Sequence, residues 1–200
     1  SILVEFITNV KGDPRLYGIL TLGFIAAFNS ELAMSVIRAK AVGQLKDALQ
    51  NEPHHHIKSA ACYALGHIGR HSPEHASEIA NANVLPLMLY YFMSPESSDD
   101  LKDKSKHALK KIIDACTNLS LLEPLLSCAP EKILKHILNQ FTKHLKDNIN
   151  EKKVFVLNGG LSRLQELKQR VSEPLREKID EINGYYPDDI VKYYSPEYAS

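Results

Sequence analysis

Two stretches of this chain repeat each other at a step of 42 residues. Val36-Ile37-Arg38-Ala39-Lys40-Ala41-Val42-Gly43-Gln44-Leu45 follows Ser30-Glu31-Leu32-Ala33. Ile79-Ala80-Asn81-Ala82-Asn83-Val84-Leu85-Pro86-Leu87 follows Ser72-Pro73-Glu74-His75-Ala76 in the same way. Val42 falls on Val84 and Leu45 on Leu87. Self-similarity of about 40–47 residues in helical sequence marks stacked armadillo or HEAT units. Such a unit cannot bury its apolar face alone, so neighbours must stack and leave an extended surface.

Helical periodicity is clearest in three long stretches. Their apolar positions are Leu16, Ile19, Leu20, Gly23 and Ala27; then Ile57, Ala60, Ala61, Ala64, Leu65 and Ile68; then Leu101, Ala108, Leu109, Ile112, Ile113 and Cys116. Leu22, Leu65 and Leu109 are separated by 43 and 44 residues, so the long helix recurs with the period of the shorter pair before it. One unit therefore reads as three helices, near 30–39, 42–50 and 54–70, and the next as 73–81, 84–93 and 99–118. Ser72-Pro73 offers an N-cap followed by Pro at the first helical position, and Ser97 with Asp100 resembles a capping box. Three helices per unit favour armadillo over HEAT. The expected fold is all-α, a right-handed armadillo-repeat superhelix.

The expected divisions are the end of a truncated unit at 1–28, units at 29–71 and 72–118, a shortened unit at 119–145, a terminal unit at 146–184 and a Tyr-rich tail at 185–200. The period slips after Asn118. Residues 119–127 read as a second-type helix and 130–145 as a third-type helix, with the short first helix lost. Val154–Leu164 then matches Val36–Leu45, and a last helix spans about 173–183. The tail has the punctuation of an irregular segment. Its tyrosines are expected either to cap the open end of the stack or to contact a partner, Tyr186, Tyr193 and Tyr194 above all.

Charge narrows the function. With 24 basic and 24 acidic residues the net charge is +0, which excludes a strongly basic nucleic-acid binder. Residues 1–100 hold 7 Lys+Arg against 10 Asp+Glu, and residues 101–200 hold 17 against 14. No apolar run is long enough to cross a bilayer. Cys62, Cys116 and Cys128 form no CxxC pair, and the first two sit on apolar helix faces, which points to a reducing compartment. The chain starts inside an apolar helix pattern without Met or a signal-peptide layout, as expected of a fragment of a longer array.

Nothing in the sequence asks for catalysis. There is no phosphate loop, GxSxG elbow or HExxH. His54-His55-His56 points in three directions from a helix, with no Cys or carboxylate nearby to complete a tetrahedral set. His67, His71 and His75 are interrupted by Ser72-Pro73. No enzyme activity, cofactor, metal or small-molecule substrate is expected. The informative place is the concave row of third helices. There Tyr63 and His67 occupy positions that hold Trp and Asn in peptide-clamping armadillo proteins. Leu20 and Phe24 stand one unit earlier, His107 and Lys111 one unit later. The candidate partner-binding residues are Phe24, Tyr63, His67, Arg70, His107, Lys110 and Lys111, a mixed aromatic and basic set.

One motif set is specific. Lys58-Ser59-Ala60-Ala61-Cys62-Tyr63-Ala64-Leu65-Gly66-His67-Ile68-Gly69-Arg70-His71-Ser72-Pro73-Glu74-His75-Ala76 resembles a stretch of the sperm-associated antigen 6 family. So do Met93-Ser94-Pro95-Glu96-Ser97-Ser98-Asp99-Asp100-Leu101, the order Ile133-Leu134-Lys135-His136, Phe155-Val156, Gly159-Gly160-Leu161, and the tail Tyr186-Pro187-Asp188-Asp189-Ile190-Val191-Lys192-Tyr193-Tyr194-Ser195-Pro196. The resemblance runs along the chain and would correspond to the C-terminal part of a family member. Tyr63 stands where the family has Trp, and His67 where it has Gln. The resemblance implies an armadillo protein of the axonemal central apparatus, located in the cytoplasm and cytoskeleton of the flagellum or cilium. It implies a non-enzymatic scaffold that supports central-apparatus integrity and flagellar motility. Central-pair proteins are the implied partners, with tubulin in the microtubule wall a further candidate; no nucleic acid and no membrane are implied. The alternative is a general peptide-binding armadillo adaptor in transport or signalling.

Overall fold

Short polar side chains cap several of the helices at their starts. Asn29 Oδ1 accepts from the Leu32 N–H at 2.8 Å, Ser72 Oγ from His75 at 3.4 Å, and Ser98 Oγ from Leu101 at 3.3 Å. Each such cap satisfies an otherwise orphaned donor and is worth about 1 kcal/mol. The computed structural model describes residues 1–196 and 198. Among these residues all regular structure is helical, and the chain divides into two compact units, residues 1–116 and 117–200.

The first unit holds α1 (Ile2–Asn9), α2 (Asp13–Phe28), α3 (Ser30–Arg38), α4 (Ala41–Asn51), α5 (His55–Gly69), α6 (Pro73–Asn81), α7 (Leu85–Met93) and α8 (Asp99–Ala115). The long helices α2, α5 and α8 lie side by side with α5 in the middle, and the shorter helices pack behind them. Small residues set this contact. A Cβ on Gly23 would stand 3.2 Å from Ala64 Cα, and one on Gly66 would stand 2.9 Å from Ala108 Cα. The same close approach is thus used twice, one period apart. Ile57, Leu65 and Ile68 fill the layer between, each wholly buried, and each contributes about 1.5–3 kcal/mol by leaving water.

Polar stitches recur with the same period. Asp13, the first residue of α2, meets His56 of α5 at 3.1 Å, 43 residues on. The Ser98 N–H that precedes α8 donates to His55 Nδ1 at 3.2 Å, again 43 residues away. Arg70 Nη2 and the His71 ring N–H donate to the carbonyls of Ala27 and Ala26 (2.8 and 2.6 Å), capping the C-terminal end of α2. Buried Arg15 grips Glu52 at 2.9 Å and Asp47 at 2.7 Å, tying α2 to the end of α4. The Asn51 amide, with the Arg15 and Lys11 contacts, holds the Asp47 carboxyl well below the usual range.

The second unit holds two 3-10 turns (Leu119–Leu121 and Glu123–Ser127), then α9 (Glu131–Leu145), α10 (Ile149–Leu157), α11 (Gly160–Lys168), α12 (Glu173–Asn183) and α13 (Asp188–Tyr193). α12 packs on α9. The same stitch appears here: the Ser172 N–H before α12 donates to Glu131, the first residue of α9, at 2.7 Å and 41 residues' separation. Phe155 and Phe141 fill the centre, ring centroids 5.1 Å apart. Residues 40, 83 and 159 all have positive φ (63°, 57° and 77°), and each sits in the turn between a first and a second short helix. The correspondence of Val154–Leu164 with Val36–Leu45 is therefore matched by a left-handed residue at the same place.

Three local expectations change. The helix expected over 99–118 stops at Ala115, because Cys116 turns extended (ψ 118°). The helix expected over 119–127 is replaced by the two 3-10 turns. An α-helix there would need an N–H that Pro124 lacks, and the residue before Pro disfavours helical ψ. Leu119, Leu122 and Leu125 are three apart and all buried, the spacing that 3-10 geometry eclipses onto one side. The tail contains a short helix, α13, after Pro187, with Asp188 and Asp189 in its first turn.

Candidate protein-interaction face

The row of third helices in the first unit presents two adjacent open recesses, one at each seam of α5. The seam between α2 and α5 holds about 300 Å³, walled by Leu16, Leu20, Phe24, Ala60 and Tyr63. The seam between α5 and α8 holds about 240 Å³, walled by Tyr63, His67, Asp103, Lys104, His107 and Lys111. Tyr63 and Lys104 belong to both. Phe24 meets Tyr63 edge-on at 5.8 Å, and Tyr63 meets His67 at 4.4 Å, so an aromatic line crosses from α2 along α5. Phe24 is 62% exposed, a large apolar side chain without a protein cover.

The second seam is electropositive. Burial, then the nearby charges of Lys111, Arg70 and His71, push His67 down to about 4. Burial together with Arg70 and Lys104 lowers Lys111. Asp103 is the acid in this recess, and Lys106 at 3.1 Å and His107 at 3.2 Å already engage it, which lowers its carboxyl. Among the described residues neither Lys104 nor Lys111 has an ion-pair partner.

Of the residues singled out from sequence, Phe24, Tyr63, His67, His107 and Lys111 line the recesses together. Arg70 stands at the end of α5, exposed, with its guanidinium on the Ala27 carbonyl. Lys110 is half-buried and lines neither recess: at 100° per residue it is turned well away from Lys104 and Lys111. Lys104, absent from the aromatic and basic set, is the central cation. Its signal was the spacing of seven to Lys111, which puts both on one helix face.

The histidines divide by role. His55 and His56 are the stitches already described, and His54 stacks on His56 at 5.5 Å. His75 Nε2–H donates to the Ser30 carbonyl at 2.9 Å, and its Nδ1 shares a hydrogen bond with the Ser72 hydroxyl at 2.7 Å. No group of three or more His, Cys, Asp or Glu among the described residues is arranged to hold a metal ion. Cys62 is buried against the Ser105 hydroxyl at 3.4 Å, and burial pushes its thiol up to about 12, far from a nucleophile's range.

In the second unit a recess of about 580 Å³ is walled mainly by Ile149, Val156, Leu157, Tyr185, Tyr186 and Ile190. Tyr186 is 8% exposed and burial raises its phenol, whereas Tyr193 is 61% exposed and meets Tyr194 edge-on at 5.1 Å. The Tyr185 hydroxyl donates to Glu181 at 3.0 Å. Glu197, Ala199 and Ser200 of the tail lie outside the described residues.

Triplets of helices, joined by stitches one period apart and fronted by a row of third helices, define an armadillo-repeat α-solenoid. Solved structures agree. A computationally designed armadillo repeat protein for modular peptide recognition matches with TM-score 0.60 at 18% identity, covering 99% of this chain and 87% of that one. A designed armadillo repeat protein in complex with the peptide (KR)4 matches with TM-score 0.58 at 18% identity and the same coverage. No family model matches the chain. Sequence relatives carry the assignment further: the chain is 50% identical over 156 residues to sperm-associated antigen 6 of Mus musculus and of Homo sapiens. Across that stretch the chain belongs to the sperm-associated antigen 6 family. The match covers 78% of this chain and 31% of each relative, so the chain spans about a third of their length.

Proposed function

We propose that this chain is a non-enzymatic scaffold of the axonemal central pair, docking central-pair proteins and helping to maintain the central apparatus and flagellar motility. Half-identity to sperm-associated antigen 6 supports the setting. The observation that carries the mechanism is the aromatic and basic row Phe24–Tyr63–His67 with Lys104 and Lys111, held on helices rather than loops. A preformed face of this kind binds without the ordering cost of a flexible one. The unit boundaries at 29–71, 72–118, 119–145 and 146–184, after the partial unit 1–28 and before the tail 185–200, belong to the same proposal. So does a division of labour in the tail, with Tyr186 closing the stack and Tyr193 and Tyr194 facing a partner.

Two measurements test the proposal. The full-length relative carrying this chain's sequence should capture central-pair proteins from flagellar extract, and Lys104→Glu/Lys111→Glu should reduce the capture while a reversal at Lys110 does not. If tubulin is a direct partner, the same protein pellets with microtubules at low salt and is released by added salt; no pelleting at low salt removes tubulin from the scheme. The second reading, a general peptide-binding adaptor, draws on the likeness to a designed armadillo protein solved with (KR)4. It predicts capture of proteins from non-ciliated extract as readily as from flagellar extract.

A further inference from the structure

Resting on the reading of the α2–α5–α8 face as the interface, we infer that this face selects an extended acidic protein segment, with an apolar side chain seated at the α2–α5 seam and a carboxylate at the α5–α8 seam. The volumes of about 300 and 240 Å³ each suit one side chain, not a helix. The walls differ in kind. Leu16, Leu20, Phe24 and Ala60 make the first seam apolar, whereas Lys104, His107, Lys111 and His67 make the second a donor-rich recess.

Sign is decided by what is left unpaired. Lys104 and Lys111 stand seven residues apart on one face of α8 without an ion-pair partner among the described residues, and Arg70 is close enough to depress Lys111. Asp103, the acid of that recess, is occupied by Lys106 and His107; Asp100 lies at the edge of the apolar seam. Cations crowded this way repel one another until an anion enters, and a carboxylate between Lys104 and Lys111 relieves that repulsion. The seams flank one helix. Their separation is therefore about 8–10 Å, which an extended chain rising about 3.4 Å per residue covers in two to three residues. The motif selected is an apolar residue followed or preceded, two to three positions away, by Asp or Glu.

The probe is a fluorescein-labelled peptide of three Leu-Gly-Glu-Gly repeats, titrated by anisotropy against the full 200-residue chain. Two companions replace Glu by Gln or by Lys. The Glu peptide should bind about tenfold more tightly than the Gln peptide, and the Lys peptide should not bind. Lys104→Glu/Lys111→Glu should abolish binding of the Glu peptide and admit the Lys peptide, and the milder Lys104→Gln/Lys111→Gln should cost about tenfold. Lys152→Glu/Lys153→Glu in the second unit should change nothing, and thermal melting confirms that each variant is folded. If the Gln or Lys peptide binds as well as the Glu peptide, the face remains an interface but the charge selection is wrong. If none of the three binds, the reading of this face as an interface fails as well. If a single-stranded oligonucleotide binds as tightly and is lost in the same double variant, the recess recognises polyanions and the inference is overturned.

Discussion

The two units solve the same packing problem with different parts. The first repeats a triplet of α-helices and seats each third helix on the last through glycine–alanine contacts at Gly23–Ala64 and Gly66–Ala108. The second has Leu-rich 3-10 turns where a second-type helix was expected, and centres α9, α10 and α11 on the Phe141–Phe155 pair. What survives in both is the stitching: a first residue of one third helix bound to the start of the next, 43 residues on in the first unit and 41 in the second. The period is therefore kept by end-to-end hydrogen bonds even where the helices between them change.

Buried charge marks the same difference. In the first unit Arg15 is wholly buried but bridges two carboxylates. In the second Glu123, 3% exposed, has Arg163 at 3.6 Å, and burial raises its carboxyl despite that charge and the Asn158 side chain. The turn that substitutes for a helix thus carries an acid whose carboxyl burial raises above its ordinary value.

Four experiments break or sharpen the comparison. Phe155→Ala should cost the second unit about 4 kcal/mol, the range for emptying a buried aromatic site. Hydrogen exchange should then accelerate in α9–α12 while α5 and α8 keep their protection; equal acceleration in both would show one cooperative body and erase the distinction. Gly66→Val should cost the first unit about 3 kcal/mol, because the added atoms meet Ala108 backbone at 2.9 Å. An unchanged denaturation midpoint would show that α5 and α8 separate freely and that the glycine contact is incidental.

The shared turn gives a smaller, signed test. Gly159→Ala forces a Cβ into positive φ (77°) and should cost about 1 kcal/mol. Lys40→Gly at the matching turn (φ 63°) should stabilise by less than about 1 kcal/mol, since relief of strain is partly offset by backbone entropy. Like signs for both would deny that the turns are equivalent.

The smallest effect is a pH response of opposite sign. His67 titrates near 4 in the fold against an ordinary 6.5, so its contribution to stability is complete above 6.5 and is lost as pH falls through about 4. Glu123 is raised above its ordinary 4.5, so its contribution is complete below 4.5 and is lost as pH rises through its folded value. Melting midpoints of His67→Gln and Glu123→Gln, each taken against the parent chain across that window, should diverge from it in opposite directions. Parallel curves would place both groups in ordinary solvent.

Much of this was legible before any coordinates. The period of 42 to 44 residues, the helix spans 73–81 and 173–183 and the all-α class follow from apolar spacing and capping residues, which are local properties of the chain. The family motifs were equally local. Tertiary structure decided the rest. It set Lys104 rather than Lys110 in the recess, gave Arg70 a carbonyl to cap, turned His55 and His56 into stitches, and put 3-10 turns around Pro124. The reason is reach. A helix face is fixed by neighbours a few residues away, but the partner of a side chain at a seam lies some 43 residues off, and only packing brings the two together.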